Sequence, residues 1–154
     1  MNEDDLTVMQ QRYAAFFGEE LPPEGAIAGM ESALDIALPD DVSAISQFFR
    51  GDLLGGISHY SFDESSSATN IVNETTRLRA AIGLPHRFIV LAEPAESLIV
   101  LDVESGVVTW CGNFDVSRLD GSSKMLGNPD TWPSYAEFFE YLLDEEVEER
   151  GESG

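Results

Sequence analysis

Apolar residues recur along the first half of this chain at helical spacing. Leu6, Met9, Tyr13, Phe16 and Phe17 stand three or four apart, with Asp5 placed to cap a first helix over 5–17 and Gly18 to end it. Pro22 and Pro23 mark a loop over 19–25, and a second helix is predicted over 26–35 with Ile27, Met30 and Leu34 on one face. Pro39 suits a first helical turn, and Asp40 and Asp41 complement the positive end of the helix it opens. That third helix carries Val42, Ile45, Phe48 and Phe49 as its buried stripe.

The period then changes. Residues 50–56 hold three glycines and must turn, and 57–62 alternate as a strand with one wetter face. A Ser-rich loop over 63–69 precedes a helix over 70–82, with Ile71, Leu78 and Ile82 inward and Gly83 at its end. Three β-branched apolar runs follow, at 88–92, 98–101 and 107–111. Their connections are too short for a crossover helix, so they form an antiparallel meander. Residues 112–128 are irregular, with a turn at Asp120-Gly121. Ser134 and Glu137 make a capping-box pattern before Tyr135, Phe138, Phe139 and Leu142, the face of a closing helix that docks on the sheet. From Asp144 to Gly154 the chain is nearly all acid with Gly and Ser, and is expected to fray into solvent as a flexible tail.

Composition narrows what such a protein can do. At 154 residues one domain is expected, able to bury roughly 70% of its unfolded surface. There are 29 acids against 8 bases, a formal charge of −21, and the one lysine is Lys124. Counterion release on nucleic acid needs many cations, as does binding to an anionic membrane, so neither is an expected partner. A basic protein is the natural complement. Solubility or adaptation to a salty cytoplasm accounts for the same acidity without a partner. No apolar run reaches the roughly 18 residues of a membrane span, and the acidic N-terminus lacks the basic start and apolar middle of a signal peptide, so a cytoplasmic location is expected.

The residues offer no catalytic constellation. His59 and His86 stand in no ligand spacing, and His59 reads as a structural strand histidine. Neither a nucleophile elbow nor a phosphate-binding glycine loop is present. Cys111, alone and within a strand, reads as a core residue. Residues 115–121 resemble a calcium loop only faintly, because Leu119 occupies an oxygen-ligand position. The expectation is a protein that is not an enzyme and holds no cofactor or metal.

Four motifs in order resemble the SUKH superfamily, which includes the fungal Smi/Knr regulators and many bacterial immunity proteins. They are Glu31-Ser-Ala-Leu-Asp-Ile-Ala-Leu-Pro-Asp-Asp41; Leu84-Pro-His-Arg-Phe-Ile-Val-Leu-Ala92; Leu98-Ile-Val-Leu-Asp102 with Gly106-Val-Val-Thr-Trp110; and Ser134-Tyr-Ala-Glu-Phe-Phe-Glu-Tyr-Leu142. The match runs from Gly29 to about Leu143. It departs from the family at Arg50-Gly51-Asp52, where an Asn-Gly-Gly turn is usual, and at Val42, where an aromatic is. The link 93–97 is likewise not Gly-rich.

The resemblance implies an α+β fold, with helices packed against a central, mainly antiparallel sheet of about four to six strands; with the first helix over 5–17 added to the matched part, a single domain over 1–143 is expected. For bacterial members it implies immunity: binding and blocking a toxin, often a nuclease or nucleic-acid deaminase, without catalysis. A regulatory interaction module of the Smi/Knr type, with no toxin partner, is the alternative. A nuclease presents a basic cleft, for which an acidic inhibitor can compete. Acids beside predicted strand ends place the expected contact face at Asp63, Glu64, Glu93 and Glu96, with Trp110.

Overall fold

A computed structural model describes residues 3–18, 25–49, 51–62, 69–119, 121 and 124–151. The protein is α+β. Strands β3 (Phe88–Ala92), β4 (Ser97–Asp102), β5 (Val108–Gly112) and β6 (Asp130–Trp132) form an antiparallel sheet in that order. Strands β1 (Asp52–Leu54) and β2 (Ile57–His59) pair separately as a hairpin. The helices are α1 (Glu3–Phe17), α2 (Ala26–Leu34), α3 (Asp40–Ile45), α4 (Ile71–Ile82) and α5 (Tyr135–Glu149), with a 3-10 turn at Asn113–Arg118.

Strands β3 and β4 are covered on both faces, which is why they read as unbroken apolar runs instead of alternating ones. Ile89, Leu91, Ile99, Leu101 and Val108 belong to the larger core, with Phe138, Phe139, Leu142 and Leu143 of α5, Val42 and Ile45 of α3, and Met30 and Leu34 of α2. Phe88, Val90, Leu98, Val100 and Cys111 face the other way, against Leu78, Leu84, Val116 and Leu119. The outer edge of β3 is occupied as well. Thr75 Oγ1 of α4 accepts from Val90 N at 3.0 Å, and Tyr60 N donates to Leu91 O at 2.9 Å. An edge whose polar groups are used in this way offers no template to a foreign strand.

Local chemistry sets the ends of the elements. Asn70 caps α4 by accepting from Asn73 N at 2.8 Å, and Ser134 caps α5 by accepting from Glu137 N at 3.2 Å. The two acids that bound the first quoted motif hold backbone amides: Glu31 accepts from Leu38 N, within the motif, at 2.8 Å, and Asp41 from Ala136 N of α5 at 2.9 Å. The β1–β2 hairpin turns on Gly55 and Gly56, with φ of 62° and 77°, the left-handed pair a two-residue hairpin favours. Its tip lies against α5, where a Cβ on Gly55 would stand 2.9 Å from Leu142 O.

Several expectations need correction. Helix α5 does not end near Leu143: it runs to Glu149, so residues 144–149 are helix and not a flexible tail. Glu146 is the reason. It is 7% exposed, accepts from Gly55 N at 3.0 Å and from Arg150 Nε at 2.7 Å, and continues the inward stripe as a polar member. Residues 152–154 lie outside the described residues. Helix α3 stops at Ile45, and Phe48 and Phe49 are buried from the turn that follows. Ile82, expected inward, is 48% exposed at the end of α4. Two short strands, β1 and β6, stand where only turns or irregular chain were expected. Helix α1 begins at Glu3, ahead of the expected cap Asp5.

Candidate functional site

The residues singled out from the sequence as a contact face meet in part, at one end of the sheet. Glu93 and Glu96 both lie on the β3–β4 turn and both are exposed. Arg77 of α4 holds Glu93 in an ion pair and also pairs with Glu74 at 2.8 Å. The Tyr60 hydroxyl bonds Glu93 too, and its pKa is raised by burial and then by Glu93 and Glu74. Arg77 thus offsets the charge of Glu93 only in part, since it is shared with Glu74. Glu96 is different: its backbone is left-handed at φ 57°, its carbonyl accepts from Asn113 N at 3.1 Å, and its side chain stands exposed.

Trp110 sits on β5 opposite Ile99 and Asp130. Its indole N–H donates to Ser97 Oγ at 2.9 Å, which ties the strand to the turn, and its ring is half-buried against the larger core. Asp63 and Glu64 lie outside the described residues.

Sequence reasoning passed over two residues at this same end, Phe114 and Leu126. They are 62% and 70% exposed, the highest values among the exposed large apolar side chains described. Phe114 interrupts a polar stretch with no periodic partner, so no pattern marks it. The nearest signal is the pair of glycines at 112 and 127 that its ring covers.

Elsewhere, α1 and α5 lie side by side in the same direction, as shown by Arg12 on Asp144 at 2.8 Å and Arg150 over Phe16 at 4.6 Å. Between their first turns is a groove of about 400 Å³ lined by Asp5, Val8, Met9, Ala136, Glu137 and Glu140, among others. Three acids, Arg12 and the apolar Val8, Met9 and Ala136 all line it.

Among the buried titratable side chains, His59, Asp102, Asp115 and Glu146 have structural partners. His59 is 8% exposed, with Nε2 3.2 Å from Leu54 O, and burial lowers its pKa to about 4, so it is neutral at pH 7. The Cys111 thiol is pushed up to about 11 by burial and then by Asp115. The Asp115 carboxylate, 1% exposed, accepts from Leu126 N at 2.7 Å and Gly127 N at 2.8 Å. Asp102 accepts from Glu104 N at 2.9 Å and pairs with Arg87 at 3.3 Å. Among the described residues no group of three or more His, Cys, Asp or Glu is arranged to hold a metal ion, and no helix is long and apolar enough to cross a membrane.

No model of a known protein family matches the chain, and no curated protein matches it.

Proposed function

We propose that this protein acts by binding a basic polypeptide, as an immunity protein of the SUKH type that neutralises a bacterial toxin, with a nuclease or other nucleic-acid-targeting toxin as the expected partner. The observation that carries the reading is the charge: 29 acids against 8 bases, with seven of those acids on the ordered helix α5, from Glu137 to Glu149. Charges on a fixed helix give the surface field a direction, which steers an oppositely charged protein during encounter. The fold is of the kind the resemblance implies, helices around a mainly antiparallel sheet. Glu31, Asp41 and Asp102, acids of the quoted motifs, each hold backbone amides, as scaffold residues would.

Co-expression with a toxin domain encoded beside its gene tests the reading. Growth should be restored, and the two proteins should co-elute as a stoichiometric complex that weakens as salt is raised. Rescue without a complex, or turnover of a small molecule by this protein alone, would overturn it.

A further inference from the structure

The Phe114–Leu126 surface has the features of an anchor. A Cβ on Gly112 would stand 2.5 Å from Phe114 Cε1, and one on Gly127 would stand 3.2 Å from Phe114 Cζ, so the ring lies across both glycines. Leu126 is the residue beside Gly127. The Asp115 carboxylate, holding the amides of Leu126 and Gly127, fixes that segment beside the turn that carries Phe114. Arg118 Nη1 donates to Phe114 O at 2.7 Å and fixes the other side. Two apolar side chains are thus held in solvent on a braced backbone. Much of the ordering cost of an interface is already met in the free protein. Rigid aromatic residues of this kind dominate binding energy where they enter a pocket.

The surroundings indicate the partner's charge. Asn113 N donates to Glu96 O, which places the exposed Glu96 turn next to Phe114, and exposed Asp130 lies opposite Trp110 on β6. Lys124 is exposed in the same segment, while Arg118 is spent on Phe114 O and on Asp115 at 3.8 Å. Over the whole chain the balance is −21.

We infer that Phe114 and Leu126 form the apolar anchor by which this protein docks a basic protein, the ring entering an apolar pocket whose cationic rim faces Glu96 and Asp130. This rests on the reading of a basic polypeptide partner. A short synthetic peptide alternating leucine and lysine serves as probe, with an all-lysine peptide of equal charge as control, and binding is followed by backbone amide shifts. The leucine–lysine peptide should shift the amides of 95–97, 112–119 and 124–127.

Phe114→Ser and Leu126→Ser, both at exposed positions, should each weaken it by about tenfold or more with melting unchanged. Gly112→Ala should act like Phe114→Ser. At φ −69° alanine is unstrained there, and the three atoms nearest its Cβ all belong to the Phe114 ring. Affinity for the all-lysine peptide should not change in any variant. Binding that ignores all three variants, or shifts gathered on the α1–α5 groove, removes the anchor and leaves the basic-partner reading standing. Failure of both peptides to bind removes both.

Discussion

Replacing His59 by phenylalanine should exchange stability at neutral pH for stability in acid. In the folded chain the imidazole is buried between Phe49 and Phe138, with ring centroids 5.7 and 6.2 Å away, and Leu54 O is its hydrogen-bond partner. Burial lowers its pKa from 6.5 to about 4, against a smaller opposing effect of the Leu54 bond. Between those values the unfolded chain binds a proton that the folded chain does not, so stability falls as pH drops from about 6.5 toward 4. The loss attributable to this one group is about 2 kcal/mol at pH 5, and approaches about 3 kcal/mol below pH 4.

Phenylalanine cannot titrate. It also leaves Leu54 O without its partner, which costs about 1–2 kcal/mol at pH 7. The variant should therefore be less stable at pH 7 by that amount and equal to or more stable than the parent at pH 5. Acidification also relieves self-repulsion among the carboxylates, but this acts on parent and variant alike and cancels in the difference. Urea unfolding of both proteins at pH 7, 6 and 5 measures that difference. A gap that stays constant over this range would refute the reasoning, as would a His59 titration midpoint near 6.5 in the folded protein.

Other consequences follow from the same packing. Gly55→Ala should cost about 2–4 kcal/mol in denaturant unfolding, since φ is 62° there and the new Cβ would meet Leu142 O at 2.9 Å. Asp115→Ala should cost about 2–3 kcal/mol and speed hydrogen exchange at the amides of Leu126 and Gly127, which it now holds; unchanged exchange would show that the carboxylate does not brace that segment. Cys111, 2% exposed with its thiol pushed up to about 11, should resist iodoacetamide at pH 8 until the protein is unfolded by urea.

How far the sequence reveals this structure depends on what each segment buries. The meander was legible because β3 and β4 are covered on both faces, so nearly every position is apolar. The cap at Ser134 was legible from short-range chemistry, whereas Asn70, read as the first residue of its helix, proves to be the cap. Strand β6, Asp-Thr-Trp, has two exposed polar residues out of three and is held by pairing with β5, which no local pattern encodes. Strand β1 has the same difficulty: its Asp52 is left-handed at φ 86°, and its pairing is set by the Gly55-Gly56 turn. At the expected contact face, the acids of the β3–β4 turn could be named in advance. That Arg77 pairs with one of them could not, since the two are sixteen residues apart and meet only when α4 covers the edge of β3.

The misreading of the chain after Asp144 has a consequence for function. A run of acids looks like a solvated tail when charge alone is read, yet Leu142, Leu143 and Glu146 keep the helical stripe inward. Glu146 belongs to the interior because it accepts from Gly55 N across the hairpin tip and from Arg150. The neighbouring acids are thereby held in place, with Asp144 paired to Arg12 of α1. A frayed tail would contribute only average charge. An ordered helix fixes where the field is strongest, so removal of residues 144–154 should do more than reduce net charge. It should loosen the β1–β2 tip and α1 together, lowering the melting temperature, whereas loss of a solvated tail would leave melting unchanged. The same truncation should slow association with a basic partner at low salt and lose that effect at high salt, where screening shortens to a few ångströms. A melting temperature equal to the parent's would show that Glu146 and its neighbours do not hold the hairpin.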